Sequence, residues 1–474
     1  MKSKRQYTAI FIGVVLLVTF AVSVRSVRKI RSETAAGTTA FAEPAAEVPY
    51  LDAVQKLLTS EAYQMEISSI RETKMGSQVL SETSTRTVTC KNYGTDDMQL
   101  HITESAQSGP HSYHVTERYT DGYAYLTLED SHFSAPISEK DYLKRLPPVA
   151  LFDPALYNSV ESQQQGGITQ IGFSDASAPE NWASHVDAEI QSASGTVLID
   201  SQGDLVQSSY SLTYKLGEAS VTRIVNVRYV PSQTDVFTPI VLSGPYTEIA
   251  SIDIPRLLEK STGYLLQASE ITSAIDESVT FQAGNLSRHQ HTDLDISGLG
   301  EELNATVGIN VELVDYSQAG TSTKYSQQEK FRDDAYSLTV TEGTPPAQPE
   351  LEITYEIMEK YCHNLLVGSV LLPQYISSVT IQEQDDVFAI TFGTTEDFAQ
   401  VMCADACTVL YQDPNMLDSI SSTYRTDKIE ASLLIDQVTM LPAASGITYS
   451  GSHAIDNTTY TLSYDIHQTY TFAQ

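Results

Sequence analysis

Residues His114 to Asp130 read HVTERYTDGYAYLTLED and contain the pattern on which the predicted fold depends. Polar and apolar side chains alternate, the alternation stops at Thr120-Asp121-Gly122, and it resumes through Tyr123 and Tyr125. Alternation with period two is typical of a strand with one buried face, and Asp tolerates the backbone of a tight turn. The stretch therefore predicts two antiparallel strands that are joined at Asp121.

A second stretch, Tyr325 to Glu342, repeats this pattern 212 positions later and reads YSQQEKFRDDAYSLTVTE. At this fixed offset Tyr113, Glu117, Asp121, Leu126 and Thr127 equal Tyr325, Glu329, Asp333, Leu338 and Thr339. Two further pairs follow in the same order, at offsets of 219 and 236: Ile171-Gly172-Phe173 with Ile390-Thr391-Phe392, and Leu198-Ile199-Asp200 with Leu434-Ile435-Asp436. The order of these matches predicts one sheet-forming unit that is used twice, with loop insertions in one copy.

The charge of the chain argues against nucleic acid as a partner. The 474 residues carry a formal charge of −32, and the first 31 contain seven Lys or Arg and no acid. The rest of the chain is therefore more acidic still, and it would repel phosphate backbones. The hydrophobic share of 41% is enough for a folded core, so we expect a globular body.

The N-terminal region predicts a membrane anchor. Thr8 to Val24 is an unbroken apolar run of a length that crosses a bilayer, with basic residues on both sides. A cleaved signal peptide is the alternative, because Ala40-Phe41-Ala42 has a small-x-small pattern. Arg25 to Arg31 separate that pattern from the apolar run, so we favour an uncleaved anchor over residues 1–31.

Residues 32–47 read SETAAGTTAFAEPAAE and show no periodicity, so we interpret them as a flexible tether. The acidic body that follows is poor in Lys and rich in Ser, Thr and Tyr. We therefore predict a single-pass protein of the cell membrane with an extracytoplasmic body.

Helical spacing of apolar residues alternates with strand patterns along the body. Pro49–Tyr63, Ile254–Gln267 and Ile353–Leu366 have one apolar helical face, and Ile137–Leu146 and Pro154–Ser162 are shorter helix candidates. Strand patterns fill most of the remaining sequence, for example at Val206–Leu216, Ser220–Tyr229 and Thr458–Phe472. This order predicts an α+β fold in which helices cap curved antiparallel sheets.

The Pro- and Gly-containing segment from Pro231 to Pro245 is the best boundary between domains. We therefore predict a first domain over 48–238 and a second over 239–474.

The hairpin resembles an element of a known family. Glu117 to Tyr125 contains Tyr-x-Asp-Gly-x-x-Tyr, which looks like the hairpin common in relatives of the outer-membrane lipoprotein carrier family (LolA-like and LppX-like proteins). Val197 to Leu205 resembles another strand and turn of that family, whereas the second copy, Phe331 to Tyr336, keeps the Asp and lacks the Gly. The resemblance implies two exported, membrane-tethered domains, each an incomplete barrel with helices over its mouth that can enclose a lipid or acyl chain.

A lipid pocket in such a barrel requires apolar side chains on the inner face beyond those that packing uses. The alternative is that these side chains seal the sheet beneath its helices. The candidates for the hydrophobic lining are Tyr119, Tyr123, Tyr125, Leu126, Leu128, Leu257, Leu258, Leu265 and Leu266.

Metal and catalytic chemistry have weak support in the sequence. His289, His291 and Asp293 have the spacing of one strand face, but their polar, Gly-flanked surroundings favour an exposed loop over a metal site. Four cysteines are too few for a disulfide scaffold. Motifs of hydrolases, zinc proteases and phosphate-binding loops do not occur, so we predict a non-enzyme without cofactor or metal.

Two functions remain open after these exclusions, and an enzyme of unrecognised type is a third, less favoured hypothesis. The first is an anchored binding protein that holds or presents a lipid or another hydrophobic ligand in the cell envelope. The second is an interaction, structural or sensory module with solid-packed domains and an envelope protein as partner. A carrier that shuttles cargo over long distances is disfavoured, because the tether is short.

Overall fold

The computed structural model describes residues 47–145, 149–177, 189–231, 245–281, 285–300, 302–318, 321–346, 352–384, 386–411, 425–455 and 458–472. Its α-helices are α1 (Glu47–Leu58), α2 (Glu139–Arg145), α3 (Asp253–Leu265), α4 (Tyr355–Val367) and α5 (Glu396–Tyr411).

The strands up to residue 248 are β1 (Ala62–Met75), β2 (Gln78–Lys91), β3 (Gln99–Ser108), β4 (His111–Thr120), β5 (Tyr123–Leu128), β6 (Ser131–Pro136), β7 (Tyr157–Gln165), β8 (Ile168–Ala176), β9 (Glu189–Ile199), β10 (Leu205–Leu216), β11 (Ala219–Pro231) and β12 (Thr247–Glu248). The later strands are β13 (Glu270–Phe281), β14 (Leu286–Ser297), β15 (Asn304–Asp315), β16 (Thr321–Arg332), β17 (Ala335–Glu342), β18 (Ile376–Gln384), β19 (Val387–Thr394), β20 (Arg425–Asp436), β21 (Pro442–Ile455) and β22 (Thr458–Phe472).

The predicted α+β class is wrong, because the described part of the chain is mostly β. Strands contain 62% of it and helices 18%. One predicted helix, Pro154–Ser162, is a single 3₁₀ turn at Pro154–Leu156 that continues directly into β7. The Pro that suggested a helix start fixes the backbone for only one turn, after which Asn158 to Gln165 extend as an edge strand.

Each sheet is built on the same order of strands. The first sheet runs β12-β6-β5-β4-β3-β2-β1-β11-β10-β9-β8-β7, and the second runs β17-β16-β15-β14-β13-β22-β21-β20-β19-β18. In the first sheet β1 pairs with β11, and in the second sheet β13 pairs with β22; two antiparallel runs of strands extend outward from each of these central pairs. The pairing of β12 with β6 is parallel.

The segments that match in sequence also lie on matching strands. The hairpin turns contain Asp121 and Asp333, which both have a left-handed backbone with φ of 53° and 51°. After β9 and β20, the side chains of Asp200 and Asp436 each accept two backbone N–H hydrogen bonds from the turn that follows. The left-handed backbone of Asp121 and Asp333 agrees with their predicted position in turns, and the side-chain hydrogen bonds of Asp200 and Asp436 were found only in the structure.

A buried hydrogen-bonded pair occurs at the same place in both sheets. Tyr229 on β11 donates to the carbonyl of Val149 (2.9 Å) and lies 3.1 Å from the Ser208 hydroxyl of β10. Tyr470 on β22 donates to the carbonyl of Leu366 (2.8 Å), and its hydroxyl lies 3.2 Å from that of Ser445 on β21. Tyr229 therefore connects the first sheet to the segment that follows α2, and Tyr470 connects the second sheet to α4.

The core lies on one face of each sheet, which we call the inner face. Alternate residues of β3 and β4, such as Leu100, Ile102, Val115 and Tyr119, are buried there, whereas their neighbours face solvent. Helix α3 belongs to the second predicted domain by sequence, yet it packs against β3 and β4 of the first sheet.

The predicted anchor (1–31) and nearly all of the tether lie outside the described residues, as do residues 232–244 around the predicted domain boundary. Among the residues that the structure describes, no helix is both long and apolar enough to cross a membrane. The domain limits and the anchor stay predictions.

Candidate functional site

The predicted lining residues divide between the core and the surface. Tyr119, Leu126, Leu128, Leu258, Leu265 and Leu266 are buried, whereas Tyr125 and Leu257 are half-buried and Tyr123 is exposed. Leu126 and Leu258 belong to a large apolar cluster that contains residues of both sheets, and Leu265 belongs to a separate cluster under the second sheet. The structure therefore does not bring the nine side chains together around one space.

Tyr123 and Tyr125 point to the outer face of the first sheet. Their rings stack at 6.1 Å, and Tyr246 packs edge-on against Tyr125 at 5.4 Å. The inner face at this position contains Ala124 and Leu126 instead. Alternation along β5 therefore separates the tyrosines from the leucines that were predicted to line the same pocket.

A buried ion network occupies the inner face of the first sheet beneath α3. Arg256 of α3 reaches Glu104 on β3 (Nε to Oε2, 3.3 Å) and donates a hydrogen bond to Glu117 on β4. Arg86 on β2 donates to the other oxygen of Glu104 at 2.9 Å. Both carboxylates thus lie between positive charges, in a region where an unpaired charge would be costly.

Two more basic side chains extend this network. Arg145 of α2 bridges Glu117 (3.2 Å) and Asp253 at the start of α3 (Nε to Oδ2, 2.7 Å). Lys260, one turn beyond Arg256, donates to Glu82 on β2 at 3.0 Å. The network therefore connects α2, α3 and three strands through charge-assisted hydrogen bonds.

The approach of α3 to the sheet depends on Gly263. A Cβ at this position would lie 2.5 Å from the Cβ of Ser108, so only glycine fits without a shift of the helix. Beyond the helix, the side chain of Gln267 accepts from the Ser81 amide (2.9 Å) and donates to the Ser108 hydroxyl (2.7 Å). These contacts fix the end of α3 over β2 and β3.

The electrostatics of the network favour a structural role, in which the network is a joint that holds α2 and α3 on the first sheet. Burial by itself would raise the pKa of Glu117, but Arg256 and Arg145 outweigh this effect and hold its pKa at about 2. Burial lowers the pKa of Lys260, while Glu82 opposes that change. A carboxylate that stays ionised at neutral pH and is enclosed by two guanidinium groups does not exchange protons with a substrate.

The sequence contained a signal for this network. Glu104 lies between the buried residues Ile102 and Ala106, and Glu117 lies between Val115 and Tyr119. Each glutamate therefore occupies an inward position of an otherwise apolar alternation. A charge at such a position implies a buried partner, and this signal was not used in the sequence analysis above.

A groove of about 550 Å³ opens on the outer face of the first sheet. Hydroxyl side chains of Ser68, Thr85 and Thr103 line it, and the exposed pair of Glu66 and Arg228 (3.3 Å) lies at its border. None of the nine predicted lining residues contributes to it. Its polar lining suits water or a polar molecule better than an acyl chain.

The predicted metal candidates lie on a strand, so the expectation of an exposed loop is wrong. His291 on β14 uses both ring nitrogens, towards Asp276 (2.7 Å) and Asp293 (3.1 Å). These hydrogen bonds raise the pKa of His291. The described residues contain no cluster of three His, Cys, Asp or Glu side chains that could bind a metal ion.

No protein-family model and no curated protein matches the chain. Among solved structures, LprF from Mycobacterium bovis is similar over 43% of this chain and 98% of its own length, at 9% identity and a TM-score of 0.23.

Two other solved structures have similarly low scores. The MucA/MucB complex of Pseudomonas aeruginosa covers 91% of this chain and 100% of its own, at 7% identity and a TM-score of 0.17. Kievitone hydratase from Nectria haematococca covers 89% and 93%, at 9% identity and a TM-score of 0.15. Scores this low assign neither a family nor a function, so the LolA-like resemblance stays a prediction.

Proposed function

We propose that the chain is a non-catalytic interaction module of the cell envelope, with two sheets whose inner faces, apart from the edge at β17, are filled by protein. The observation that carries this proposal is the burial of Leu126, Leu128 and Leu258 within the packed core beneath the first sheet. The ion network occupies the neighbouring part of the same face. Side chains that are used in this way seal the sheet and are not available to a ligand.

We also propose that the chain is anchored in the cell membrane and that its body lies outside the cytoplasm. The basic flanks and apolar run of residues 1–31 support a membrane anchor, and the acidic composition of the rest supports a body outside the membrane. Protease treatment of intact cells tests this directly. We expect the body to be digested while a short anchored fragment survives; a body that is cut only after lysis would contradict the location.

Lipid extraction separates a filled module from a lipid-binding protein. The body from residue 43 onward is purified without detergent, extracted with organic solvent and examined by mass spectrometry. We expect far less than one lipid per sheet, and no change in the melting temperature when fatty acid is added. Lipid at about one molecule per sheet, lost together with stability on extraction, would overturn the filled module and restore the lipid-binding hypothesis.

A further inference from the structure

Strand β17 forms one edge of the second sheet and is exposed on both faces. It pairs with β16, so that Leu338 lies opposite Glu329 and Val340 lies opposite Gln327. The side chains of Glu329 and Gln327 are both buried. Leu338 and Val340 are therefore on the inner face. They are nevertheless 40% and 45% exposed.

The matched strand of the first sheet is covered. Leu126 and Leu128 on β5 correspond to Leu338 and Val340 at the 212-residue offset, and both are at most 1% exposed. The difference is β6, which pairs antiparallel with β5 and places Phe133 directly opposite Leu126. Strand β12 then pairs with β6 on its far side. Within the described residues, the second sheet ends at β17 without such strands.

Residues Ala335 to Val340 of β17 lack the usual protection against pairing, and the one irregularity in the pairing of this strand with β16 lies after them, at Thr341. Natural edge strands are blunted by Lys, Pro, bulges or very short length. Residues 335–342 read AYSLTVTE, which contains no Lys, Arg, Pro or Gly and has its one charge at the final position. The outward backbone groups and the two apolar side chains form a ready template for another strand.

We propose that β17 binds an extended segment of a partner protein by antiparallel strand addition, in the position that β6 occupies in the first sheet. This inference rests on the proposed interaction function and names its partner surface. The segment carries an apolar side chain opposite Leu338, as Phe133 stands opposite Leu126. It is neutral or basic, because Glu342, Asp333 and Asp334 flank the edge and the whole chain is strongly acidic.

A peptide with the sequence of β6 is the natural probe. Fluorescein-labelled SHFSAPI, residues 131–137 of this chain, is titrated with the full-length protein in detergent micelles, and fluorescence anisotropy is measured. We expect saturable binding that is lost when the peptide carries Phe133→Asp. Empty micelles serve as the blank, because they show whether the peptide binds detergent.

A matched pair of protein variants locates the binding. Leu338→Lys is expected to weaken peptide binding by about tenfold or more, because it removes a buried apolar contact. The variant should still fold, since the new ammonium group lies opposite the Glu329 carboxylate. Val79→Lys is the control, because Val79 is also an exposed apolar strand residue (49%) but lies on β2 of the other sheet. It should bind the peptide like the unaltered protein.

Four results would overturn the proposal. Absence of peptide binding, or equal binding by both variants, would show that β17 is not a docking strand. Hydrogen-exchange protection of β17 that rises with protein concentration would assign the edge to a second copy of this chain. Protection that disappears when residues 32–46 are deleted would assign it to the chain itself. A negative result in the peptide experiment would not affect the proposal that the inner faces are filled by protein. Co-purified lipid would contradict that proposal without affecting the one for β17.

Discussion

Glu117 on β4 and Glu329 on β16 occupy matched positions of the two halves, and both side chains are buried on the inner face of their sheet. Glu117 lies between Arg256 and Arg145, and its pKa is held at about 2. Glu329 accepts a hydrogen bond from Gln327 at 2.9 Å, and burial raises its pKa. Among the ion pairs of the described residues, none involves Glu329.

The difference shows how one strand plan has been put to two uses. In the first half the glutamate connects α2 and α3 to the sheet, and the edge beyond it is closed by β6 and β12. In the second half the glutamate has no such partner, and the edge beyond it ends at β17 with two exposed apolar residues. The matched glutamate therefore holds helices on the sheet in the first half and lies beside an open edge in the second.

The largest effect is expected from Arg256→Leu. This change leaves Glu117 and Glu104 short of positive charge in a buried site, so the free energy of unfolding should fall by about 3–5 kcal/mol. Chemical denaturation measures this value. Arg228→Leu is the control, because its pair with Glu66 is exposed and should be worth at most about 1 kcal/mol. Similar losses in the two variants would show that the network is not a joint.

Glu117→Gln should lower stability by roughly 3 kcal/mol at neutral pH, because its pKa is about 2 in the fold and 4.5 in the unfolded chain. A depressed carboxyl pKa contributes stability that is complete above pH 4.5 and is lost as the pH falls towards 2. The gap between the variant and the unaltered protein should therefore close over this range in denaturation curves. A gap that is independent of pH would assign the loss to packing.

Tyr229→Phe and Tyr470→Phe test the buried tyrosine hydrogen bond that the two halves share. Each removes a hydroxyl that satisfies a buried carbonyl, so each should cost about 1–3 kcal/mol of unfolding free energy. The two losses should be similar, and thermal denaturation of the two variants compares them. A loss in one half only would show that the shared geometry does not carry equal energy.

The smallest effect, of opposite sign, is expected from Glu329→Gln. A raised carboxyl pKa means that the fold favours the protonated form, so its stabilising contribution is present below pH 4.5 and is lost as the pH rises through the folded value. The neutral amide should therefore increase the melting temperature at pH 7 and leave it nearly unchanged at pH 4. A decrease at pH 7 would mean that Glu329 has a favourable ionic partner.

Local periodicity predicted much of the strand framework. The pattern from Thr458 to Phe472 coincides with β22, and the patterns at Val206–Leu216 and Ser220–Tyr229 lie within β10 and β11. These strands bury one face, so the sequence alternates visibly. The hairpin turn at Asp121 was predicted because its left-handed backbone restricts the residue type.

The features that decide function depend on contacts between distant residues. Strand β6 reads SHFSAP and is too short to show a period, yet it decides whether the edge of the first sheet is closed. Helix α5, in which Cys403 is buried, was not predicted from the sequence. The contact of Arg256 with Glu117 spans 139 residues, and no local pattern specifies it.

Hydrogen exchange at β5 and β17 in the full-length protein tests the central claim that one strand plan is closed in the first half and open in the second. Amides of β5 are paired on both sides, so we expect slow exchange along the whole strand. Outward-facing amides of β17 should exchange much faster and should become protected when the SHFSAPI peptide is added. Equal, slow exchange in the two strands of the free protein would contradict the claim.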